Sequence, residues 1–247
     1  MQIDLIISAD DIKQEKILQK SIVVIDMLRA TSVIIAAMND GCSSVIPVLT
    51  IEEALEIANK DRKNYILGGE RKALKIEGFD CANSPLEYKR SIVKGKTVVI
   101  TTSNGTRAIQ GSVGAKNILI GALINAKAVA ERLISLNNDI VIVNAGTFGQ
   151  FSMDDFICAG YMIDCLLRKR ENIELTDISK TAYYIYKENQ NIISFIKHAS
   201  HYKRIKELNL QEDLDYCCQK DIINIVPEYK DGIISLSHDT DNKNYGT

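Results

Sequence analysis

Six short runs constrain this chain more than any other feature: IVVID (22–26), SVIPV (44–48), YIL (65–67), TVVITT (97–102), NILIG (117–121) and DIVIVN (139–144). Continuous Val/Ile-rich stretches without polar alternation suit strands buried on both faces, the condition of a largely parallel sheet covered by helices. Residues with helical spacing lie between them, at 30–39, 51–60, 106–110, 125–136 and 154–169. The predicted fold class is therefore α/β, a three-layer α/β/α sandwich around a largely parallel or mixed sheet with right-handed crossovers. Residues 176–220 read as mostly helical, INIVP (223–227) and GIISL (232–236) as returning strands, and the polar segment HDTDNKNYGT after Ser237 as a mobile tail. No Gly/Pro/Ser-rich linker interrupts the pattern, so residues 1–247 are expected to form one domain.

Apolar residues make up 46% of the chain and charged residues 25%, which excludes disordered and fibrous classes. Thirty basic residues against thirty-two acidic ones leave a formal charge of -2, so no basic field points to nucleic acid or to an anionic membrane surface. The first residues, MQIDLIISADD, lack the pattern of a secretory leader, and no apolar run is long enough to span a bilayer, so a cytoplasmic protein is expected. Six cysteines are scattered through core-like segments rather than gathered in a small loop-rich frame, and reduced thiols are expected.

Chemistry-bearing residues gather where strands end. Asp26 closes IVVID before MLRATS, Thr101 and Thr102 close TVVITT before SNGTR, and Asn144 closes DIVIVN before AGTFG. Open parallel sheets bind ligands beyond the carboxyl ends of their strands, where the following helices present free N–H groups. A single Ser or Thr at such a turn is more simply a helix cap, and only the convergence of three turns marks a site. A fourth stretch, GGERKALKIEGFDCANSPLEY (68–88), carries Gly68, Gly69, Glu70, Arg71, Gly78, Asp80, Asn83, Ser84 and Pro85. Those residue types can hold a cation and an anion together, and the segment reads as a site-forming loop, against a structural Ω-loop held by its own side chains.

Several other patterns fail. Gly95-Lys96-Thr97 ends like a phosphate-binding P-loop, but position 90 is Arg and the tripeptide precedes its strand. No GxGxxG opens a helix, which removes support for a dinucleotide. Cys165 with Arg168 lies inside a helical pattern, and His198, His201, Cys217 and Cys218 do not match the spacing of a zinc site. Asp26-Met27-Leu28-Arg29 has Arg where a haloacid-dehalogenase-type phosphatase has its second acid.

Four clusters remain. IDMLRATS, GGER with GFDCANSPLEY, VVITTSNGTRA and FSMDDFICAG resemble, in order and spacing, the motifs of the 2-phosphosulfolactate phosphatase family, the ComB-like enzymes of coenzyme M biosynthesis. HYKRIKELNLQEDLDYC and DIINIVP are similar to its C-terminal pattern, and the departures are Met27, Ser103 and Asp154. The resemblance implies a magnesium-dependent hydrolase that converts 2-phospho-3-sulfolactate to 3-sulfolactate and phosphate, and a homodimer. It leaves open a phosphatase for another small phosphorylated acid or sugar, and a catalytically silent protein that binds small anions.

Under that resemblance the catalytic candidates are Asp26, Arg29, Glu70, Arg71, Asp80 and Asp155, with Asp26, Glu70 and Asp155 as magnesium ligands. Magnesium favours few carboxylates plus water and substrate oxygens, and guanidinium forks suit oxyanions, which gives Arg29, Arg71 and Arg107 to the substrate. Thr31, Asn83, Ser84, Thr102, Ser103, Asn104, Gly105, Thr106, Asn144 and Gly146 complete the substrate-binding set through side-chain or backbone hydrogen bonds. Simpler readings stand beside these: an Asx-type turn for Asp80, a helix N-terminal acid for Asp155 and a surface ion pair for Arg107. His201 is expected at the edge of the site or in a structural role. Whether water or Asp26 attacks phosphorus is left open by the sequence.

Overall fold

A computed structural model of the chain describes residues 1–236; the expectation for the polar tail falls outside them. The strands are β1 (Gln2–Ile6), β2 (Ser21–Ile25), β3 (Ser44–Pro47), β4 (Tyr65–Arg71), β5 (Leu74–Lys75), β6 (Thr97–Thr101), β7 (Asn117–Gly121), β8 (Ile140–Asn144), β9 (Glu174–Leu175), β10 (Pro227–Lys230) and β11 (Ile233–Leu236). The helices of the first half are α1 (Gln14–Ile17), α2 (Ala30–Asn39), α3 (Ile51–Asn59), α4 (Arg90–Val93), α5 (Gly105–Gly111) and α6 (Ala126–Leu136). A long α7 (Met153–Lys169) follows, then α8 (Asp177–Glu188), α9 (Ile192–Ile196), α10 (Ser200–Glu207) and α11 (Gln211–Cys217), which form the helical region expected after residue 176.

Among the described residues the strands make one mixed, mostly parallel sheet in the order β5-β4-β6-β3-β11-β10-β7-β2-β8-β1-β9. Two parallel blocks, β4-β6-β3 and β7-β2-β8-β1-β9, are joined by the β10–β11 hairpin, which pairs antiparallel with β3 on one side and β7 on the other. Every residue of β2 and β8 is buried, as their unbroken apolar sequences require. Val23 and Ile25 enter one core with α6, α7 and α8, while Ile22 and Val24 enter a second with α2 and α5. A third cluster, including Ala54, Leu67, Phe79 and Val99, seats α3 on β4 and β6.

Two expectations change in the structure, and one strand is added. INIVP does not form a strand along its length, because β10 begins at Pro227 and pairs onward through Lys230. The N-terminal QIDLI, outside the six runs read as strands, is β1, paired in parallel with β8. Gly68-Gly69-Glu70-Arg71 is not loop: it continues β4, with Gly68 and Gly69 registered against Ile100 and Thr101 of β6. Gly69 has φ +140, and a Cβ there would fall 2.0 Å from the carbonyl oxygen of Thr101, so only glycine lets the strand run this close to β6 on its way to Glu70. All six cysteines are free. No helix among the described residues is long and apolar enough to cross a membrane.

Candidate active site

The carboxyl end of β2 is organised around Asp26. Its N–H donates to Thr31 Oγ1 (3.0 Å), and its Oδ1 accepts the N–H of Ala30 at the start of α2 (3.3 Å). Thr31 is therefore not a helix cap: it sits inside the first turn of α2 and its hydroxyl holds the backbone of Asp26. From the opposite side α5 arrives through Gly105, where a Cβ would lie 2.5 Å from Ala30 Cβ and 2.7 Å from Asp26 Oδ2. A side chain there would displace the carboxylate. Thr102 and Thr106 lock the same turn to each other, since the Thr106 N–H donates to Thr102 Oγ1 (3.1 Å) and the Thr106 hydroxyl to the Thr102 carbonyl (2.9 Å).

Glu70 is buried and accepts the N–H groups of Ser103 (2.7 Å) and Ala73 (2.6 Å), one on each oxygen. It therefore ties the end of β6 to the β4–β5 turn and keeps unused lone pairs on both oxygens. Arg29 is 2% exposed; its Nη1 donates to Asp213 Oδ2 (2.6 Å) and its Nη2 to the Ala73 carbonyl (3.0 Å). Asp213 also accepts the Ser84 hydroxyl on its other oxygen (2.6 Å), so one buried carboxylate on α11 fixes two residues from distant segments. The peptide between Leu28 and Arg29 is cis.

These groups open onto a cavity of about 470 Å³. Asp26, Arg29, Glu70, Asn83, Ser103 and Asn104 are the sequence candidates that line it. Lys72, Ala73, Thr147, Phe148, His201 and Arg204 join them, contributed by the β4–β5 turn, the loop after β8 and helix α10. Asn83 Oδ1 is buried without a hydrogen-bond partner among the described residues, an unfilled acceptor at the wall of the cavity.

The remaining candidates are held elsewhere. Arg71 donates to the carbonyls of Glu70 (2.8 Å) and Leu49 (3.2 Å) and to Thr101 Oγ1 (2.9 Å), bracing β4 instead of facing the cavity. Asp80 accepts from Arg62 (2.7 Å) and from the Leu67 N–H (2.7 Å). Burial pushes its carboxyl up, but those two donors outweigh it and hold it below the ordinary 3.8. Arg107 is exposed and pairs with Asp10, the surface role weighed against substrate binding. Asn144, at the end of β8, is fully buried with neither amide atom partnered among the described residues, and it does not line the cavity.

Asp155 has a structural part that its sequence position did not reveal. Its Oδ1 accepts the Met27 N–H (2.9 Å) and its Oδ2 the Gly146 N–H (3.0 Å), clamping the loops after β2 and β8 together from the first turn of α7. Burial, then the charges of Asp154 and Asp26, push this carboxyl well above the ordinary range despite the two N–H donors. Next to it, Asp154 accepts from Ser152 and pairs with His201 Nδ1 at 3.1 Å. Burial pulls the imidazole down, but the charge and hydrogen bond of Asp154, with the charge of Asp26, raise it above the ordinary 6.5. Asp26 itself is pushed up to about 6, mainly by burial and further by Asp154 and Glu70, against the lowering influence of His201 and the Ala30 N–H.

Sequence reasoning missed Lys72 and Arg204 at the cavity, Asp213 behind Arg29, and Asp154 as the partner of His201, whose own place at the edge of the site was expected. The C-terminal stretch HYKRIKELNLQEDLDYC held the signal for His201, Arg204 and Asp213, but helical spacing alone does not say which face meets a loop more than a hundred residues away.

Strand-end carboxylates, a buried guanidinium and a cationic rim surround one cavity of an α/β protein. Comparison with known proteins gives the family. The 2-phosphosulpholactate phosphatase family model matches residues 6–232, and the chain belongs to that family of phosphoric monoester hydrolases. It is 72% identical over 237 residues to a protein of Clostridium kluyveri described as a probable 2-phosphosulfolactate phosphatase, covering 96% of this chain and 98% of the relative. Proteins of the same description from Clostridium tetani and Clostridium acetobutylicum are 70% and 61% identical over 234 residues each, covering 95% of this chain and 100% of either relative.

Proposed function

We propose that this chain hydrolyses 2-phospho-3-sulfolactate to 3-sulfolactate and phosphate with the help of magnesium. The observation that carries the reading is the placement of Asp26, Glu70 and Arg29 around one cavity, in a chain that belongs to the family. Hydrolysis of a phosphomonoester asks the protein to neutralise a dianion, align water with the P–O bond and deliver a proton to the departing oxygen.

Asp26 and Glu70 bring two buried carboxylates to one cavity, and magnesium takes few carboxylates together with water and substrate oxygens. Asp26 and Glu70 would hold it, with the unpartnered Asn83 Oδ1 close to the same wall, since a bare acceptor suits a cation or its water and not a phosphate oxygen. When bound, magnesium supplies positive charge to the phosphoryl oxygens. Asp155 takes no ligand role in this reading, because it does not line the cavity and instead clamps the loops after β2 and β8 from behind it.

Arg29 balances phosphate charge while Asp213 and the Ala73 carbonyl fix its plane. Ser103 and Asn104 orient oxygens at the end of β6. His201, with Nδ1 engaged by Asp154, keeps Nε2 for a proton at the cavity wall, positioned for the leaving alkoxide. A homodimer and a reducing, cytoplasmic setting belong to the same reading; the six free thiols support the setting, and the family resemblance supports the dimer. The test is phosphate release from 2-phospho-3-sulfolactate in EDTA and after addition of magnesium. Magnesium-dependent release supports the assignment, and no release in either condition overturns the substrate.

A further inference from the structure

We propose that Lys72 and Arg204 form an anion subsite at the rim of the cavity that takes the sulfonate of the substrate and so sets the preference for a sulfonated phosphoacid. This rests on the substrate reading above and adds the residues that would read the sulfonate.

Charge accounting singles out these two side chains. Arg29 and His201 also line the cavity, but each is matched by a buried carboxylate, Asp213 and Asp154 respectively. Arg204 makes only a 3.6 Å pair with exposed Glu207, and Lys72 makes no ion pair among the described residues. The substrate carries phosphate, carboxylate and sulfonate on three carbons, and the cavity itself contributes the negative Asp26 and Glu70. Two cations at the rim with no buried carboxylate to neutralise them supply the opposing charge.

The rim is also built in register with the reaction centre. Lys72 and Ala73 occupy the turn between β4 and β5 with φ of 54 and 67, the left-handed pair that a two-residue hairpin connection demands, in a sequence with neither Gly nor Asn there. Ala73 explains why the turn is held: its N–H donates to Glu70 and its carbonyl accepts from Arg29. The turn that orders the carboxylate and the guanidinium therefore also sets the backbone position of Lys72. From α10, Arg204 Nη2 donates to the Lys72 carbonyl (3.3 Å), which brings the two cationic side chains to the same edge. A sulfonate has three equivalent oxygens and stays ionised, so it suits two flexible, solvent-reaching donors better than the locked planar fork of Arg29.

The experiment compares 2-phospho-3-sulfolactate with 2-phospholactate, which differs only by the sulfonate, for wild type, R204Q, K72Q and the exposed control K203Q. The wild type is expected to favour the sulfonated compound in kcat/KM, and R204Q and K72Q each to lower that selectivity ratio about tenfold, the range for a charge-assisted contact at a partly exposed site. K203Q keeps the ratio, and added salt lowers the wild-type ratio. Equal losses on both substrates, or an unchanged ratio in both variants, overturns the subsite. Calorimetric binding of 3-sulfolactate and lactate separates the two levels of the proposal. If the wild type hydrolyses neither compound yet binds 3-sulfolactate more tightly, and R204Q erases the difference, the subsite stands while the substrate reading fails. Equal binding of the two acids by the wild type overturns the subsite.

Discussion

Replacing Asp26 by Asn removes a buried charge from the centre of the cavity while keeping the side-chain shape and an acceptor for the Ala30 N–H. In the folded chain the Asp26 carboxyl is pushed up from 3.8 to about 6, chiefly by burial. A folded pKa above the unfolded one means that folding favours the protonated form: the associated stability is complete below the unfolded value and is lost as pH rises through the folded one. Linkage over roughly two pH units gives a cost of about 3 kcal/mol for the ionised group at pH 8, and about half that at pH 5. In EDTA, Asp26→Asn is therefore expected to be more stable than wild type at pH 8, by up to about 3 kcal/mol or about 6–12 °C in Tm for a chain of this size. The gain shrinks at pH 5. Calorimetric or fluorescence melts at both pH values check this, and magnesium is expected to raise the Tm of wild type more than that of the variant. A variant that melts at or below wild type at pH 8, with a difference independent of pH, refutes the claim that Asp26 is held ionised at a cost to stability.

Asp213→Ala leaves the buried Arg29 guanidinium without its carboxylate, a change of about 3–5 kcal/mol in unfolding free energy that urea titration would detect as a lowered midpoint. Gly105→Ala forces a methyl against Ala30 and Asp26; it is expected to destabilise by about 1–3 kcal/mol and to reduce kcat more than KM, measured by steady-state phosphate release. In Asp154→Asn the partner that raises His201 is neutral, so the imidazole titration followed by NMR should move down from its wild-type position; no movement would show that Asp154 does not set it.

Much of the sheet was legible because its evidence is local. Three or four successive Val and Ile residues in IVVID, TVVITT and DIVIVN are best satisfied by burial on both faces, and the strands are found there. The antiparallel β10–β11 hairpin between two parallel blocks was not legible, because strand order depends on nonlocal pairing and Pro227 sets the start of the hairpin inside an apolar run. In the site, Asp26 could be picked out by its strand-end position and Glu70 by the glycine pair before it, although the strand was expected to stop at Leu67. Arg71 and Arg107 could not be separated from Arg29, since all three sit beside turns and only their partners distinguish them: backbone carbonyls with Thr101, a surface Asp10, and a buried Asp213. That last partner lies 184 residues along the chain. Lys72 escaped notice because an exposed lysine in a turn has no sequence mark until its neighbour Ala73 is seen bonded to both Glu70 and Arg29.

The most direct test of the central claim is phosphate release from 2-phospho-3-sulfolactate by wild type and Asp26→Asn side by side in saturating magnesium, with both proteins shown to be folded by their melts. Turnover by wild type and a loss of about a thousandfold or more in the equally folded variant is the predicted result, of the order seen when one group stabilising a transition state is removed. A variant that keeps its rate within tenfold of wild type would contradict the assignment of the Asp26 cavity as the place where the phosphoester is cleaved.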